Sequence, residues 1–319
     1  MASKPTSRSL ELRQTKGFQR AFIESQFCTK TKPVLLTPAT DLSGKAAVVT
    51  GSSTGLGLHA ARHLLSLNLS RLILAVRSLA KGDGVAAQFR REFPSATIEV
   101  WQLEMGSYES IQAFVKRASA EFPGGNHLDI AILNAGVVNN EYTPSPQTGH
   151  CEIIQINYIS TFLLAILLLP VLRHRGAGGN AKSSPGRLSI VNSGTSLAAK
   201  LENRNKRPLL ASFDTPKGFN TTERYYDSKL LGQMFFARLL SHLPAGLEDE
   251  VIVNMVDPGL CKGTDLHREA GFIVGAVFGA FKAMTARDLK DGAWTYVDAV
   301  VAKGKESHGC YVMDWEIRP

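Results

Sequence analysis

Tyr225 and Lys229 are the two residues whose types and spacing most clearly suit proton chemistry, and they lie four positions apart. Side chains at i and i+4 share one face of an α-helix, one turn apart. An ammonium beside a phenol favours the phenolate, so the pair predicts a pKa for Tyr225 below its ordinary value of about 10. Such a phenol can donate a proton to a developing alkoxide or accept one from an alcohol. The same spacing also occurs on solvent-facing helices. The surrounding elements of the sequence therefore decide whether this pair is functional or a solvated helix face.

A glycine-rich turn between a strand and a helix is the second candidate site. An apolar, β-branched run at residues 45–50 precedes the turn, and a helical pattern starting at His59 follows it. Strand, glycine turn and helix form the context that a dinucleotide-binding turn requires. Its glycines admit a pyrophosphate close to the backbone, and the helix N-terminus presents N–H groups to it. The candidate cofactor residues are Gly51, Ser53, Thr54, Gly55, Leu56 and Gly57. The alternative is an ordinary βα turn.

Basic residues follow the next strand, Arg71 to Val76. An acid at this point would bind the ribose hydroxyls of NAD, whereas an arginine suits the 2′-phosphate of NADP. Arg77 ends the strand, Lys81 follows, and no acidic residue lies between Arg71 and Asp83. The pattern therefore favours NADP(H) over NAD, with the Ser53 hydroxyl as a further phosphate contact. A solvated cation at a strand end is the competing interpretation of Arg77.

Further motifs follow in a recognisable order. They are Glu104 in Leu103-Glu104-Met105, Asn134-Ala135-Gly136 after an apolar strand, Asn157 in a helical run, Ser193 after the strand Arg187–Val191, Tyr225 with Lys229, and Asp257-Pro258-Gly259. From about residue 43 to its end, the chain resembles the short-chain dehydrogenase/reductase family. Within it, several phrases look most like fungal members related to retinol dehydrogenases and carbonyl reductases.

The resemblance implies a catalytic role for four residues. Ser193 would hydrogen-bond a substrate carbonyl, and Tyr225 would be the acid in reduction and the base in oxidation. Lys229 would lower the pKa of Tyr225 and hold the nicotinamide ribose. Asn157 would hold a water that relays protons to Lys229, or alternatively would satisfy a broken helix turn.

Cofactor contacts follow from the same resemblance. Glu104 would contact the adenine, although the family usually has Asp there. Asn134, Ala135 and Gly136 would line the cofactor. Pro258 and Gly259 would form a turn beside the nicotinamide. Thr264 would contact its amide, but its spacing from the turn is offset from the family's PGxxxT.

Two positions have rivals nearby. Ser193 has Thr195 and Ser196 as neighbours, and counting from the start of its strand selects Ser193. Tyr225 is followed by Tyr226, but only Tyr225 has the four-residue spacing to Lys229. Tyr226 would point about 100° away around the helix.

Alternating strand and helix patterns predict the fold class. We expect one α/β domain, a Rossmann-like doubly wound parallel sheet of about seven strands, over residues 43–319. Residues 1–42 form a basic N-terminal arm. The last strand is expected at His308–Met313.

Charge and hydropathy exclude several function classes. The net charge is +8, with +5 of it in the first 33 residues, and these lack dense cation runs or interleaved aromatics. We therefore expect no nucleic-acid partner and no stable membrane insertion. The longest apolar run, Phe162 to Leu172, contains Pro170 and is too short to span a bilayer, so it predicts a buried helix. No secretory signal is expected, and the four scattered cysteines indicate a reducing, cytoplasmic location without a metal.

Three irregular segments are expected to shape the surface. Arg173 to Arg187 reads as a loop. Residues 195–224 form a long insertion that we expect to make one wall over the substrate. Residues 260–286 resemble the family's substrate lid, and their apolar content suggests a largely apolar substrate. A solvated excursion and a core helix are the respective alternatives.

The combined motifs predict an NADP(H)-dependent oxidoreductase that transfers a hydride between nicotinamide and a ketone or secondary alcohol. Its substrate would be medium-sized and largely apolar, and the resemblance implies a ketoreductase of fungal secondary metabolism. A non-redox catalyst such as an isomerase, lyase or cyclase, or a cofactor-binding regulatory protein, could use the same fold. The resemblance also implies a homodimer through the helices holding Asn157 and Tyr225, which the basic arm and the insertion could block.

Overall fold

A single eight-stranded sheet organises the chain in the computed structural model, which describes residues 17–123, 127–174, 184–263 and 286–319. The strands are β1 (Ala46–Thr50), β2 (Arg71–Val76), β3 (Thr97–Gln102), β4 (Ile130–Leu133), β5 (Gly186–Val191), β6 (Val251–Asp257), β7 (Tyr311–Met313) and β8 (Glu316–Arg318). Their spatial order is β3-β2-β1-β4-β5-β6-β7-β8. Strands β1 to β7 pair in parallel, and β8 pairs antiparallel to β7.

Helices connect the parallel strands and cover both faces of the sheet. They are α1 (Phe18–Ile23), α2 (Gly55–Ser66), α3 (Leu79–Glu92), α4 (Tyr108–Glu121), α5 (Glu152–Ile154), α6 (Thr161–Leu172), α7 (Thr221–Leu240) and α8 (Leu289–Val297). Three π-helical stretches extend them, at Glu24–Cys28 after α1, Gln155–Ser160 between α5 and α6, and Asp298–Ala302 after α8.

Alternation along each strand sends side chains into two cores. In β1, Ala46 and Val48 join the cluster that includes residues of α4, α6 and α7, while Ala47 and Val49 join the cluster with α2, α3 and α8. A strand that is buried on both faces is typical of a doubly wound parallel sheet. The predicted α/β fold class is confirmed.

The eighth strand is the feature that the sequence did not predict. Asp314 and Trp315 both have positive φ, 56° and 60°, and they join β7 to β8 as a two-residue hairpin turn. Such a turn is usually marked by Asn-Gly or Asp-Gly, and Asp-Trp carries no such signal. The expected strand at His308–Met313 is shorter than predicted, because it begins only at Tyr311.

The apolar run at Phe162–Leu172 belongs to a longer helix than the sequence suggested. The helix extends back to Glu152, giving 21 residues, and an 18-residue window within it has a mean hydropathy of 1.9, which is enough to cross a membrane by length and composition alone. However, 67% of this window is buried inside the fold. The buried helix that the sequence predicted is therefore present, and it packs against α4 and β5 as part of the core.

Candidate active site

The functional motifs meet at the carboxyl ends of the central strands. The strand order reverses between β1 and β4, and open α/β sheets bind ligands in the crevice at such a point. The glycine turn follows β1, Asn134 follows β4, Ser193 follows β5 and Pro258 follows β6. Four segments that are distant in sequence thus share one edge of the sheet.

The glycine turn is built so that its backbone can approach a ligand. Gly51 and Gly55 have positive φ, 65° and 61°, which only glycine adopts readily. A Cβ on Gly57 would lie 2.6 Å from the carbonyl oxygen of Gly51, so no side chain fits there. A Cβ on Gly55 would instead meet open space within 4 Å. The turn therefore packs closely against the rest of the protein at Gly57, whereas the space beside Gly55 is open.

The N-terminus of α2 differs from those of three other helices. Helices α3, α4 and α7 are capped by the side chains of Ser78, Ser107 and Asn220, respectively. Thr54, at the corresponding position of α2, makes no side-chain cap hydrogen bond. The first N–H groups of this helix, together with the open space at Gly55, fit a pyrophosphate. Ser53 is half-buried and Thr54 exposed on the same turn, and Leu56 packs towards Gly292.

Asn134 and Ala135 hold the glycine turn in place. The Asn134 amide donates to the carbonyl oxygens of Thr50 and Gly51 at 2.9 and 3.2 Å. The backbone N–H of Ala135 donates to the Thr50 hydroxyl at 2.9 Å. Asn134 and Ala135 therefore fasten the end of β4 to the glycine turn. Their predicted contact with the cofactor stays a prediction. Thr50, the last residue of β1, supports the turn through this hydroxyl.

The predicted phosphate and adenine residues lie beside one another. The exposed Arg77 side chain has its Nε 3.8 Å from Glu104 Oε2, a loose surface pair. Glu104 also accepts a hydrogen bond from the backbone N–H of Gly106 through Oε1, at 3.0 Å. Lys81 is exposed in the first turn of α3. Both cations can therefore reach a phosphate at the end of β2.

Ser193, Tyr225 and Lys229 come together at the start of α7. The Ser193 hydroxyl lies beside that of Tyr225, close enough to influence its pKa. The Lys229 ammonium lies 5.6 Å from the centre of the Tyr225 ring and donates to the carbonyl oxygen of Val191 at 3.1 Å. The rival hydroxyl of Thr195 donates to Ser193 at 2.9 Å instead of replacing it. The half-buried Tyr226 ring lies beside that of Tyr225.

The predicted lowering of the Tyr225 pKa is wrong for this structure. Burial is the largest influence and raises the pKa of Tyr225 well above its ordinary value. The hydrogen bond from Ser193 lowers this pKa, and the nearby Asp257 carboxylate raises it. Burial also lowers the pKa of Lys229 to about 8, against a raising influence from Asp257. Enclosure therefore outweighs the pairing effect in the Tyr225–Lys229 pair.

Asn157 lies in the π-helical stretch before α6 and clamps the segment after Gly136. Its amide oxygen accepts from the N–H of Val137 at 2.8 Å, and its amide nitrogen donates to the Val137 carbonyl at 2.9 Å. The same nitrogen reaches the Ser228 hydroxyl at 3.2 Å. These contacts go to the segment after β4 and to α7, and not to the backbone of the helix turn that holds Asn157. The relay to Lys229 stays a prediction.

The turn at Pro258 and Gly259 is held by charged residues, of which the sequence motif contained only Asp257. The buried Asp257 accepts hydrogen bonds from the N–H groups of Gly194 and Gly259, each at 2.9 Å. Arg287 donates to the Pro258 carbonyl at 3.0 Å and pairs with the buried Asp314 at 2.6 Å. A carboxylate directly before a proline-glycine turn was the signal available in the sequence.

The N-terminal arm docks onto the same cluster. Ser25 is buried and donates its hydroxyl to Asp314 at 2.7 Å, while its carbonyl accepts from Arg287 at 2.8 Å. Gln26 packs against Gly259, where an added Cβ would lie 2.8 Å from its amide nitrogen. Part of the predicted arm thus belongs structurally to the surroundings of the site.

The insertion at residues 195–224 packs as ordered structure. It contains the short 3₁₀-helices Glu202–Asn205 and Leu210–Phe213, following another at Gly194–Ala198. Phe213 is buried with Ile153, Ile154 and Leu231 in a third apolar cluster. Asp214 ties it down by accepting from the N–H of Cys151 at 2.8 Å. The insertion therefore rests on α5 and on α7, the helix that carries Tyr225 and Lys229.

The predicted lid and Thr264 lie largely outside the described residues, which stop at Gly263 and resume at Ala286. The two flanking segments are joined, because Lys262 donates its N–H to the Arg287 carbonyl and Arg287 donates its N–H to Leu260, each at 2.9 Å. The predicted loop at Arg173–Arg187 also falls partly outside, at residues 175–183.

Similarity to known proteins agrees with this geometry. The family model for short chain dehydrogenases matches residues 45–198. The short chain dehydrogenase/reductase mfmJ of Annulohypoxylon moriforme is 48% identical, covering 95% of this chain and 84% of its own. The short chain dehydrogenase opdN of Penicillium oxalicum is 43% identical, covering 88% and 90% respectively.

Solved structures share the fold at low sequence identity. L-Sorbose reductase from Gluconobacter frateurii, complexed with NADPH and L-sorbose, has a TM-score of 0.62 at 20% identity, covering 86% of this chain and 95% of its own. The oxidoreductase yciK from E. coli has a TM-score of 0.60 at 21% identity, covering 88% and 97%. The fungal relatives show that the chain belongs to the short-chain dehydrogenase/reductase family.

Proposed function

We propose that this protein is an NADP(H)-dependent oxidoreductase that reduces a ketone to a secondary alcohol on a medium-sized, largely apolar molecule. The observation that carries the proposal is that Ser193 lies beside Tyr225, with Lys229 Nζ 5.6 Å from the centre of the Tyr225 ring on the same helix face. When bound, the nicotinamide would supply the hydride. Within this family, these three residues are suited to stabilising and protonating the carbonyl oxygen as it becomes an alcohol.

Each residue has a distinct task at that oxygen. The Ser193 hydroxyl would hydrogen-bond the carbonyl oxygen and stabilise the negative charge that develops on it. The Tyr225 hydroxyl would donate the proton that completes the alcohol. A neutral phenol is the form that donates, and burial keeps Tyr225 in that form by raising its pKa. Lys229, as an ammonium, would stabilise the phenolate left behind.

Three observations support NADP(H) as the cofactor. The exposed Arg77 and Lys81 follow β2, where a 2′-phosphate would lie, and Glu104 nearby pairs with Arg77. The uncapped N-terminus of α2 suits the pyrophosphate. The similar structure of L-sorbose reductase was solved with NADPH. The proposed reaction needs no metal ion, because Tyr225 supplies the proton.

The apolar sequence of residues 260–286 supports the proposed substrate class, because these residues resemble the family's substrate lid and such side chains suit a largely apolar ligand. The fungal origin of the relatives supports a role as a ketoreductase of secondary metabolism, and the scattered cysteines support a cytoplasmic location.

The experiment that tests this proposal follows the hydride itself. The purified chain is incubated with a panel of lipophilic ketones and NADPH carrying deuterium at nicotinamide C4, and products are analysed by mass spectrometry. We expect deuterium on the carbinol carbon and loss of NADPH absorbance in equal amounts. Product formation without deuterium transfer would instead indicate an isomerase, lyase or cyclase. Nucleotide binding without any product from the panel would favour a regulatory binding protein.

A further inference from the structure

Asp257 is a buried carboxylate to which the proposed mechanism gives no task. It is the last residue of β6 and only 3% exposed. Its Oδ2 accepts from the N–H of Gly194 and its Oδ1 from the N–H of Gly259, both at 2.9 Å. One side chain thus joins two loops that leave different strands. Hydrogen bonds to an ionised acceptor are the stronger kind.

The two loops are the two walls of the site. Gly194 directly follows Ser193, which would hold the carbonyl oxygen. Gly259 belongs to the turn that the family resemblance places beside the nicotinamide. The approach is close at Gly194, where an added Cβ would lie 2.9 Å from Asp257 Oδ2, and the turn at Gly259 has a φ of +73°. Glycine at both positions lets the carboxylate reach both backbones.

We propose that Asp257 is a positioning residue, whose carboxylate sets the spacing between the Ser193 segment and the Pro258–Gly259 turn. This inference rests on the proposed function, since the spacing matters for turnover only if a carbonyl lies between these walls. Because hydride transfer needs the reacting atoms aligned within a few tenths of an ångström, loss of the bridge would reduce turnover more than substrate binding.

The charge of Asp257 also acts on the residues around it. The groups facing it are Tyr225 and Lys229 from α7, Tyr296 from α8, Arg287 before α8, Tyr311 from β7 and Asp314 after β7. The effect on Lys229 is direct, because the negative charge of Asp257 stabilises its ammonium form and opposes the lowering of its pKa by burial. Removing the charge would therefore make Lys229 lose its proton at lower pH.

These effects define a pH window for the bridge. Burial raises the pKa of Asp257 to about 6, so the carboxylate protonates below that pH and loses part of its accepting capacity. The pKa of Lys229 is about 8, so its ammonium is lost above that pH. We expect full turnover between these two values and a decline on either side.

The test compares Asp257→Asn with Asp298→Asn in the full-length chain. Asp298 is a matched control because it is buried to a similar degree, at 6% exposure, and pairs with Lys303 at 2.8 Å after α8. We expect Asp257→Asn to reduce kcat roughly 10- to 100-fold, the loss of one hydrogen bond to a charged acceptor, with a smaller change in KM. Its alkaline limb should move to lower pH, and its acidic limb should disappear.

Hydrogen exchange supplies a readout that does not depend on turnover. Mass spectrometry of peptides containing Gly194 and Gly259 should show faster exchange at both in Asp257→Asn, and wild-type exchange in Asp298→Asn. The positioning role is overturned if exchange is unchanged, or if it accelerates while kcat and the pH limbs remain those of the wild type. If the wild type reduced no carbonyl, the proposed function would fail, and the exchange rates would still decide whether Asp257 joins the two walls.

Discussion

Lys229 on α7 donates a hydrogen bond to the carbonyl oxygen of Val191, the last residue of β5, at 3.1 Å. This bond fastens the helix that carries Tyr225 to the strand that leads into Ser193. This contact between α7 and β5 therefore holds the Tyr225 hydroxyl close to that of Ser193. The position of the trio is a property of the folded chain.

Replacing Lys229 should impair the proposed proton transfer. Lys229→Met removes both the ammonium and its bond to Val191, and we expect turnover to fall roughly 10²- to 10⁴-fold. In the wild type, the lowered pKa of about 8 means that the ammonium is present below that value and lost as pH rises through it. The measurement is kcat as a function of pH. An alkaline limb that persists unchanged in Lys229→Met would rule out Lys229 as its source.

Arg77 should determine the preference between the two nicotinamide cofactors. We expect Arg77→Ala to weaken NADPH binding roughly 10- to 100-fold, because a charged hydrogen bond to the 2′-phosphate is lost, with little change for NADH. Fluorescence titration of both cofactors measures this. Arg91→Ala, an exposed arginine at the end of α3, is the control and should change neither affinity. Equal weakening of NADPH and NADH binding would contradict the 2′-phosphate assignment.

Two glycine-to-alanine substitutions should have opposite effects. Gly57→Ala places a Cβ 2.5 Å from the Asn134 amide nitrogen, so the turn must distort and NADPH binding should be lost. Gly84→Ala, exposed in α3 with open space around the added Cβ, should stabilise the fold by about 0.5–1 kcal/mol and leave binding intact. Urea unfolding and NADPH titration distinguish them. Tight NADPH binding by Gly57→Ala would mean that the turn tolerates a side chain.

The buried pair of Arg287 and Asp314 should matter more for stability than an exposed pair. Arg287→Met leaves the Asp314 carboxylate buried without its cationic partner, and we expect a loss of about 3–5 kcal/mol in the free energy of unfolding. Arg20→Met breaks the exposed pair of Arg20 with Glu24 and should cost less than about 1 kcal/mol. Urea denaturation measures both. Similar losses in the two variants would show that the Arg287 cluster does not anchor the N-terminal segment.

The features that the sequence could predict are those that depend on residues close together along the chain. The glycine turn, Ser193 and the Tyr225–Lys229 pair each depend on a strand end or one helix turn, and such short-range patterns are readable. The contact of Ser25 with Asp314 spans 289 positions, and no periodicity marks it. The same holds for Asp257, whose partners come from two loops.

The balance of forces at Tyr225 could not be read from spacing either. Four-residue spacing predicts that Lys229 and Tyr225 are neighbours, and they are. It does not reveal how deeply the pair is enclosed, and desolvation decides the direction of the pKa shift. Burial is a property of the whole fold, which is why the predicted direction was wrong.

The adjacent tyrosines offer the most direct measurement of the central claim that Tyr225 is the proton donor. Single-turnover reduction of a ketone substrate is compared for the wild type, Tyr225→Phe and Tyr226→Phe, with NADPH affinity measured in parallel. We expect Tyr225→Phe to lose roughly 10²- to 10⁴-fold in rate while still binding NADPH, and Tyr226→Phe to keep the wild-type rate. A Tyr225→Phe variant with the wild-type rate, or an equal loss in Tyr226→Phe, would contradict the account.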